Sequence, residues 1–285
     1  KTDKMSEALT LLSDIADYGL SPDFSDNFID DRQETSPEIM MSIKFLAPNT
    51  NHSADMWYAD WMVVSPLVNL AEEFALLDGS PGTPLPKISG SNYTLDIAAV
   101  TNSTLQARDP RLAKTVFVDK YEAAGGLYTP SNSRTTGLGL YKFLSLNLTP
   151  PYDYNTLSQQ DWIIMRYADV LLMLAEADNE VNGPTATVYN SVNRVRARAG
   201  MPNLPSGLSK EAMRERIRHE RRVELAFEGH RFFDLKRWKT AKSVLNAVSD
   251  SPVVYNFEDR HYLWPLPQSE IDKNQGALIQ NPNYK

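Results

Sequence analysis

Apolar residues recur at helical spacing near both ends of this chain and lose that spacing over a long middle stretch. Met5, Ala8, Leu9, Leu12, Ile15 and Ala16 fall on one helical face, so residues 4–18 read as an amphipathic helix stopped by Tyr18-Gly19. A polar, acidic loop follows over 20–35, and Pro37 opens a short strand over 38–45. Residues 47–65 form an aromatic-rich connection carrying Trp57, Tyr58 and Trp61. Leu67, Leu70, Ala71 and Phe74 then mark a helix over 66–77 that stops at Asp78-Gly79. From 80 to 161 the chain is dense in Pro, Gly, Ser, Asn and Thr, interrupted by strand-like pieces at 113–118 and 139–143. Irregular regions of that length inside a domain tend to be functional or mobile.

Helical periodicity returns at 162–180, with Ile164, Ala168, Leu171 and Ala175 on one face. It continues at 185–199, with Val188, Val192, Val195 and Ala199, and Gly200 stands just past the end. The pair has the size of a tetratricopeptide helix–turn–helix unit, and its small alanines permit close approach. The stretch 213–238 is different: half of its residues are charged, yet it also carries Met213, Ile217, Leu225, Phe227, Phe232, Phe233, Leu235 and Trp238. A solvated charge run needs no such apolar cargo, so the stretch reads as a helix buried on most sides whose Arg and Glu pair with one another. Arg216–Glu220, Glu215–Arg218 and Arg221–Glu224 have the spacing for local pairs. Ser209 is its N-cap, flanked by Leu208 and Met213, and Gly229 separates it from a short aromatic helix over 230–238. A helix over 241–248 precedes a Pro-locked, aromatic tail. The reading is a mainly α fold forming a single domain over 1–285. It runs as helix and strand (1–46), a loop-rich region (47–161), a helical body (162–248) and a C-terminal tail (249–285).

Composition narrows the function classes. The formal net charge is −7, and because 209–239 holds ten Lys/Arg and six Asp/Glu (+4), the rest carries −11. An acidic surface argues against nucleic acid as the partner. With no cysteine there is no disulfide and no thiolate chemistry. No apolar run approaches the roughly 18–20 residues of a membrane span. Lys1-Thr-Asp-Lys is not a signal peptide, so the chain reads as a mature form or a fragment.

Four motifs occur in order: Arg166-Tyr-Ala-Asp-Val-Leu-Leu-Met-Leu-Ala-Glu-Ala177, Val192-Asn-Arg-Val-Arg-Ala-Arg-Ala-Gly200, the run from Arg218 to Trp238, and Tyr262-Leu-Trp-Pro-Leu-Pro-Gln-Ser-Glu-Ile271. Together with the closing Gln280-Asn-Pro-Asn-Tyr284, they resemble the SusD/RagB family of outer-membrane nutrient-binding lipoproteins. The resemblance implies a SusD-like fold of tetratricopeptide-type helix pairs with a large loop-rich insertion and a few short strands. It also implies a non-catalytic, surface-exposed outer-membrane protein that captures glycans and delivers them to a SusC-like TonB-dependent transporter. The membrane contact implied is an N-terminal lipid anchor, which, with the family's first helical repeats, is expected to lie outside this stretch of chain.

The charged motif residues Arg166, Glu176, Arg196, Arg218, Glu220, Arg221, Glu224, Arg231 and Asp234 read as a buried ion-pair network; the functional alternative is a basic patch for phosphate or acidic glycans, against which the interleaved Glu residues stand. Sugar recognition needs flat aromatic faces on loops, flanked by polar side chains for the hydroxyls. Trp57, Tyr58 and Trp61 form the best cluster, with Asp55 and Asp60 beside them, and Tyr128, Tyr152 and Tyr154 rank second. Residues 57 and 61 also stand one helical turn apart, so a core-packing stripe is the alternative. Trp162, Trp238 and Trp264, within or beside the motifs, are expected in the core. No nucleophile elbow, phosphate loop or paired-His metal spacing appears, and no cofactor or metal is expected. Asp23, Asp26, Asp30 and Asp31 lack the glycine of a Ca²⁺ loop and read as a solvated acidic loop. A helical-repeat protein-interaction scaffold without sugar binding is the alternative function, and a surface hydrolase a third.

Overall fold

Ser209 does what its sequence position suggests: its side chain accepts from the Ala212 N–H, and the charged helix runs Lys210–Glu224. Thr185 caps the Ala186–Arg198 helix in the same way through Val188, and Gly200 beyond it adopts φ 76°. Gly229, at φ 88°, opens the next helix, His230–Arg237. The computed structural model describes residues 4–132 and 135–284, so most of the Lys1-Thr-Asp-Lys opening lies outside the described residues. The chain forms two compact units, Lys1–Glu228 and Gly229–Lys285, and the helical stretch expected over 162–248 is divided between them.

In the first unit the Tyr167–Asn182 helix is central. Helices Met5–Ser13, Ala186–Arg198 and Lys210–Glu224 pack against it. Ala168, Leu171 and Ala175 meet Val188, Val192 and Val195 of the following helix and Met213 and Ile217 of the charged helix, all buried. Full burial of each branched side chain contributes roughly 1.5–3 kcal/mol. The pair of helices expected from periodicity is present, but several boundaries differ; the helix expected over 66–77 is confined to Val68–Glu73, and the strand-like piece at 139–143 to Leu138–Leu140. The first helix ends at Ser13, and Gly19 is not left-handed; its N–H instead bonds Pro37 O at 3.1 Å, turning the chain onto the neighbouring strand. Residues Trp162–Arg166 form a strand, not the first turn of a helix, and pair antiparallel with Ile39–Ile43. An Ile-rich run fits either periodicity, and here a partner strand decides it. Finally, Arg111–Thr115 is helical, and only Val116–Val118 is extended, pairing with Leu138–Leu140. A hairpin of Tyr121–Ala123 with Gly126–Tyr128 completes the strands of the described residues.

Only one face of the charged stretch is buried: Glu220, Arg221, Glu224 and Glu228 point inside, whereas Glu215 and Arg216 are exposed, Arg218 and Arg231 are half-buried, and Asp234 pairs locally with Arg237. Most partners of the buried groups come from far away in sequence. Arg166 reaches Glu38 at 2.6 Å, Glu224 at 2.6 Å and Glu228 at 2.7 Å. Arg111 reaches Asp109 at 2.6 Å, Glu220 at 2.6 Å and Glu224 at 2.8 Å. Arg196 binds Glu220, Arg198 binds Glu38 and Glu224, and Lys142 binds Glu228 at 2.6 Å. Five cations thus face five carboxylates, every side chain at most 8% exposed. Burial opposes charge on Glu224, but Arg198, Arg166 and Arg111 outweigh it and hold the carboxyl well below its usual range. Burial pushes Lys142 down to about 8 despite Glu228. Of the three local pairs read from the sequence, Glu215–Arg218 forms at 3.0 Å on the surface, while Glu220 and Glu224 turn inward to the network.

The second unit carries His230–Arg237, Ala241–Asn246, a 3₁₀ turn Asp259–Tyr262 and Gln268–Lys273. Leu235, Ala241 and Phe257 form its core, with Phe232, Leu245 and Tyr262 packed against them. Asn246 clamps the tail by bonding both the N–H and the carbonyl of Phe257. Trp264, expected in the core, is 68% exposed.

Candidate functional site

Trp57, Tyr58 and Asp60 lie on a five-residue π turn, Met56–Asp60, where the sequence reading has a non-helical connection. Trp57 N–H bonds Ser53 O at 3.0 Å, and Trp61 N–H bonds Met56 O at 2.8 Å, the i→i+5 pattern. The wider turn sends Met56, Ala59 and the following Met62 into a core with Phe117, Tyr121, Leu144 and Tyr152. Trp57 and Trp61 are left 44% and 38% exposed. The core-packing stripe therefore exists, but it is Met56, Ala59 and Met62; the two tryptophans point outward. Tyr154, 75% exposed, meets Trp61 edge to face with ring centroids 5.1 Å apart.

The turn is fastened from two sides. His52 and Ser158 exchange backbone bonds at 2.9 and 3.1 Å, and Asp55 N–H bonds Ser158 Oγ at 3.1 Å. Asp55 is fully buried and accepts from Ser145 N–H at 2.6 Å, Ser145 Oγ at 3.0 Å and Gln160 Nε2 at 3.1 Å. Asp60, also buried, accepts from the Tyr152 N–H and, at 3.4 Å, from the Ser131 N–H. Neither carboxylate faces solvent, so both hold the insertion against the turn. Their polar type next to aromatics suggests ligand contact, and burial overrides it.

The tyrosines divide similarly. Tyr152 is buried, stacks on Tyr121 at 6.2 Å, and has its hydroxyl pushed far up by burial and then by Asp55. Tyr128 is half-buried in the hairpin, its hydroxyl donating to Ala124 O at 3.2 Å. Tyr58 is half-buried against Phe143, and burial raises its hydroxyl too. Of the eight candidates, the structure brings Trp57, Trp61 and Tyr154 to an exposed face and places Asp55, Asp60 and Tyr152 inside.

Beside Trp57 lies a cavity of about 220 Å³. Ile43, Phe45, Ala54, Trp57, Phe143 and Trp162 form most of its wall, and His52, Gln160 and Asp161 supply polar groups. Trp162 is 39% exposed rather than in the core, because strand alternation turns it to the side opposite buried Ile163. Reading 162–180 as helix hides that alternation. A larger, charged cleft of about 640 Å³, with Glu72, Asp78, Arg196, Arg216 and His219 in its walls, contains none of the eight candidates. No group of three or more acidic, His or Cys side chains among the described residues could hold a metal ion. In the acidic loop Asp23 caps the turn Phe24–Asn27 and binds Lys114 at 2.6 Å.

Known proteins share this architecture. The fold is similar to a SusD-like protein of Bacteroides fragilis, with a TM-score of 0.78 at 24% identity, covering 99% of this chain and 62% of that one. It is also similar to a SusD-like carbohydrate-binding protein of the same species (TM-score 0.76, 24% identity, 94% and 61% covered). A third likeness is to surface glycan-binding protein A of Bacteroides thetaiotaomicron (TM-score 0.63, 22% identity, 99% and 57% covered). At these identities the likeness shows the fold. In sequence, SusD-like protein P2 of Formosa agariphila is 39% identical over 137 residues, 45% of this chain and 26% of that protein. The chain thus spans about three fifths of the solved proteins it resembles. The model of the SusD family matches residues 24–284, nearly the whole of both compact units, and on that match the chain belongs to the SusD family.

Proposed function

We propose that the chain binds glycan without catalysis, by stacking sugar rings on the exposed face of Trp57, Trp61 and Tyr154. The observation that carries the reading is the π turn. It anchors one side of the turn in the core through Met56 and Ala59 while holding two tryptophans half in solvent. A large aromatic surface kept in water on a rigid base loses little conformational freedom on binding. Two of the solved proteins with this fold are described as carbohydrate-binding and surface glycan-binding, which supports the same reading. Against acid–base chemistry stands the placement of Asp55 and Asp60: both carboxylates next to the aromatic face are tied into internal hydrogen bonds.

Surface display on the outer membrane and delivery to a SusC-like TonB-dependent transporter complete the proposal, resting on family membership. Attachment by an N-terminal lipid anchor is part of the same proposal and rests on family membership alone; no helix of the described residues is long and apolar enough to cross a membrane. Affinity gel electrophoresis against a panel of soluble polysaccharides tests the binding: at least one should retard the protein. A protein-interaction scaffold would retain none, and release of reducing ends from a retained polysaccharide would make the protein a hydrolase instead.

A further inference from the structure

Arg216 is left without the partner its sequence position promises. Its i+4 neighbour Glu220 turns inward and is shared by Arg111 at 2.6 Å and Arg196 at 3.0 Å. Arg216 stays exposed in the wall of the 640 Å³ cleft, with no ion pair or hydrogen bond among the described residues. Arg196, 6% exposed, stands in the same wall. Its Nε donates to Pro202 O at 2.8 Å and its Nη1 to Glu220. Nη2 has no acceptor among the described residues and is not sealed from solvent. It lies on the side of Gly79, itself a wall residue: a Cβ placed on Gly79 would stand 3.7 Å from it. A buried guanidinium with one unused nitrogen at a cleft points to a ligand acceptor.

The other polar groups of the wall decide what charge that ligand carries. Glu72 accepts from Lys87 at 2.7 Å and from Leu85 N–H at 2.9 Å, and Glu73 pairs with Arg222 at 2.5 Å. Both carboxylates are thus matched by cations. His219 Nε2 donates to Glu73 O at 2.8 Å. Asp78 is exposed and accepts from Ser80 N–H and Oγ at 2.8 and 2.6 Å, with no cation beside it. Asn203 is exposed and makes no bond among the described residues. Arg108, whose Nη1 is 2.8 Å from where wall residue Gly82 would carry a Cβ, meets only the oxygens of Phe74 and Thr83. Two unmatched guanidinium groups therefore stand against one unmatched carboxylate, and a single negative charge restores the balance. A dianion would bring a second charge up to Glu72, Glu73 and Asp78. The apolar part of the wall is Ala75, Leu204 and prolines, with no Trp, Tyr or Phe on which a neutral sugar could stack. The space equals about twenty water volumes, within the range of small-ligand sites.

We propose that this cleft takes the carboxylate of a uronic acid unit in an acidic glycan. Arg216 holds the two carboxylate oxygens in a planar fork, and Arg196 Nη2 supplies a further donor. Resting on the glycan-binding reading above, the cleft is an acidic-sugar subsite apart from Trp57, Trp61 and Tyr154, none of which lies in its wall.

Short oligosaccharides of galacturonate and of glucuronate would be titrated beside their methyl esters, which keep the shape and lose the charge. At low ionic strength at least one acid should bind about ten-fold more tightly than its own ester, and added salt should shrink the difference. Arg216→Gln breaks no bond within the fold and should erase the preference, while Arg216→Lys should keep part of it. Lys120→Gln removes an equal charge from an exposed position outside the wall and should leave the preference intact. Retention of neutral polysaccharide should persist in Arg216→Gln, and Trp57→Ala/Trp61→Ala should still prefer acid to ester. Equal binding of acid and ester, a preference that survives Arg216→Gln, or one that disappears with the tryptophans overturns the acidic subsite and leaves the aromatic face standing. Failure to bind any glycan, neutral or acidic, takes down both.

Discussion

The ion-pair network around Glu224 and the aromatic turn around Trp57 belong to the same compact unit and invert the usual relation between residue type and role. Charged residues, the groups most often found at reactive sites, are here buried and matched five to five. Tryptophans, which usually supply core, stand 44% and 38% exposed. The difference lies in what each can satisfy. Every network charge has an opposite charge within 3.0 Å, so it can leave water. The indole rings are held out because Met56 and Ala59 already occupy the inward side of their turn. Chemical reactivity on paper is therefore a poor guide in this protein; the informative quantity is whether a group's partners are already inside the chain.

The largest effect should come from the network. Glu224→Gln leaves Arg111, Arg166 and Arg198 short of an anion, a change of roughly 3–5 kcal/mol. A urea denaturation midpoint reads it directly, and a loss under 1 kcal/mol would break the contrast by making the network dispensable. Next is Asp60→Ala, which strips acceptors from the Tyr152 and Ser131 N–H groups and should lower stability by roughly 1–3 kcal/mol. Loss of glycan retention at unchanged stability would return Asp60 to the ligand face.

Acid should act through the same network. Glu224 and Glu228 are held below their ordinary value of 4.5, so the folded state carries fewer protons than the unfolded one in that range. Their contribution is complete above about pH 4.5 and disappears as pH falls through the lower folded-state values, by at most about 1.4 kcal/mol per pH unit for each carboxylate. Stability against urea measured from pH 7 down to 3 should drop most steeply at the acid end, and Glu224→Gln should flatten the drop. The smallest effect belongs to Tyr154→Ala: at 75% exposure it should change stability by less than about 0.5 kcal/mol while weakening glycan retention.

How much of this was legible in the sequence depends on distance along the chain. Some local signals worked: Ser209 as a cap, Gly200 as a stop, and the Val188–Val192–Val195 face; the helices read as stopping at Gly19 and at Asp78-Gly79 instead end earlier, at Ser13 and Glu73. Partners far away in sequence were invisible. Glu38, Asp109, Arg111 and Lys142 complete a network whose motif residues lie mostly beyond 166, and nothing near them in sequence marks them as ion-pair partners. The strand at Trp162–Arg166 was hidden for the same reason, since only its pairing with Ile39–Ile43 separates it from helix. Among the candidates, Trp57, Trp61 and Tyr154 are exposed, while Asp55, Asp60 and Tyr152 are buried, a difference that residue type alone does not reveal.

The division of labour between network and turn is tested most directly by the double variant Trp57→Ala/Trp61→Ala. Its thermal midpoint and its migration in gels containing a polysaccharide that retards the parent protein would be measured together. The account predicts a midpoint within a few degrees of the parent and loss of retardation, because both rings are partly exposed to solvent and are the proposed binding surface. Undiminished retardation with a midpoint lowered by ten degrees or more would place the tryptophans in the core and the ligand elsewhere.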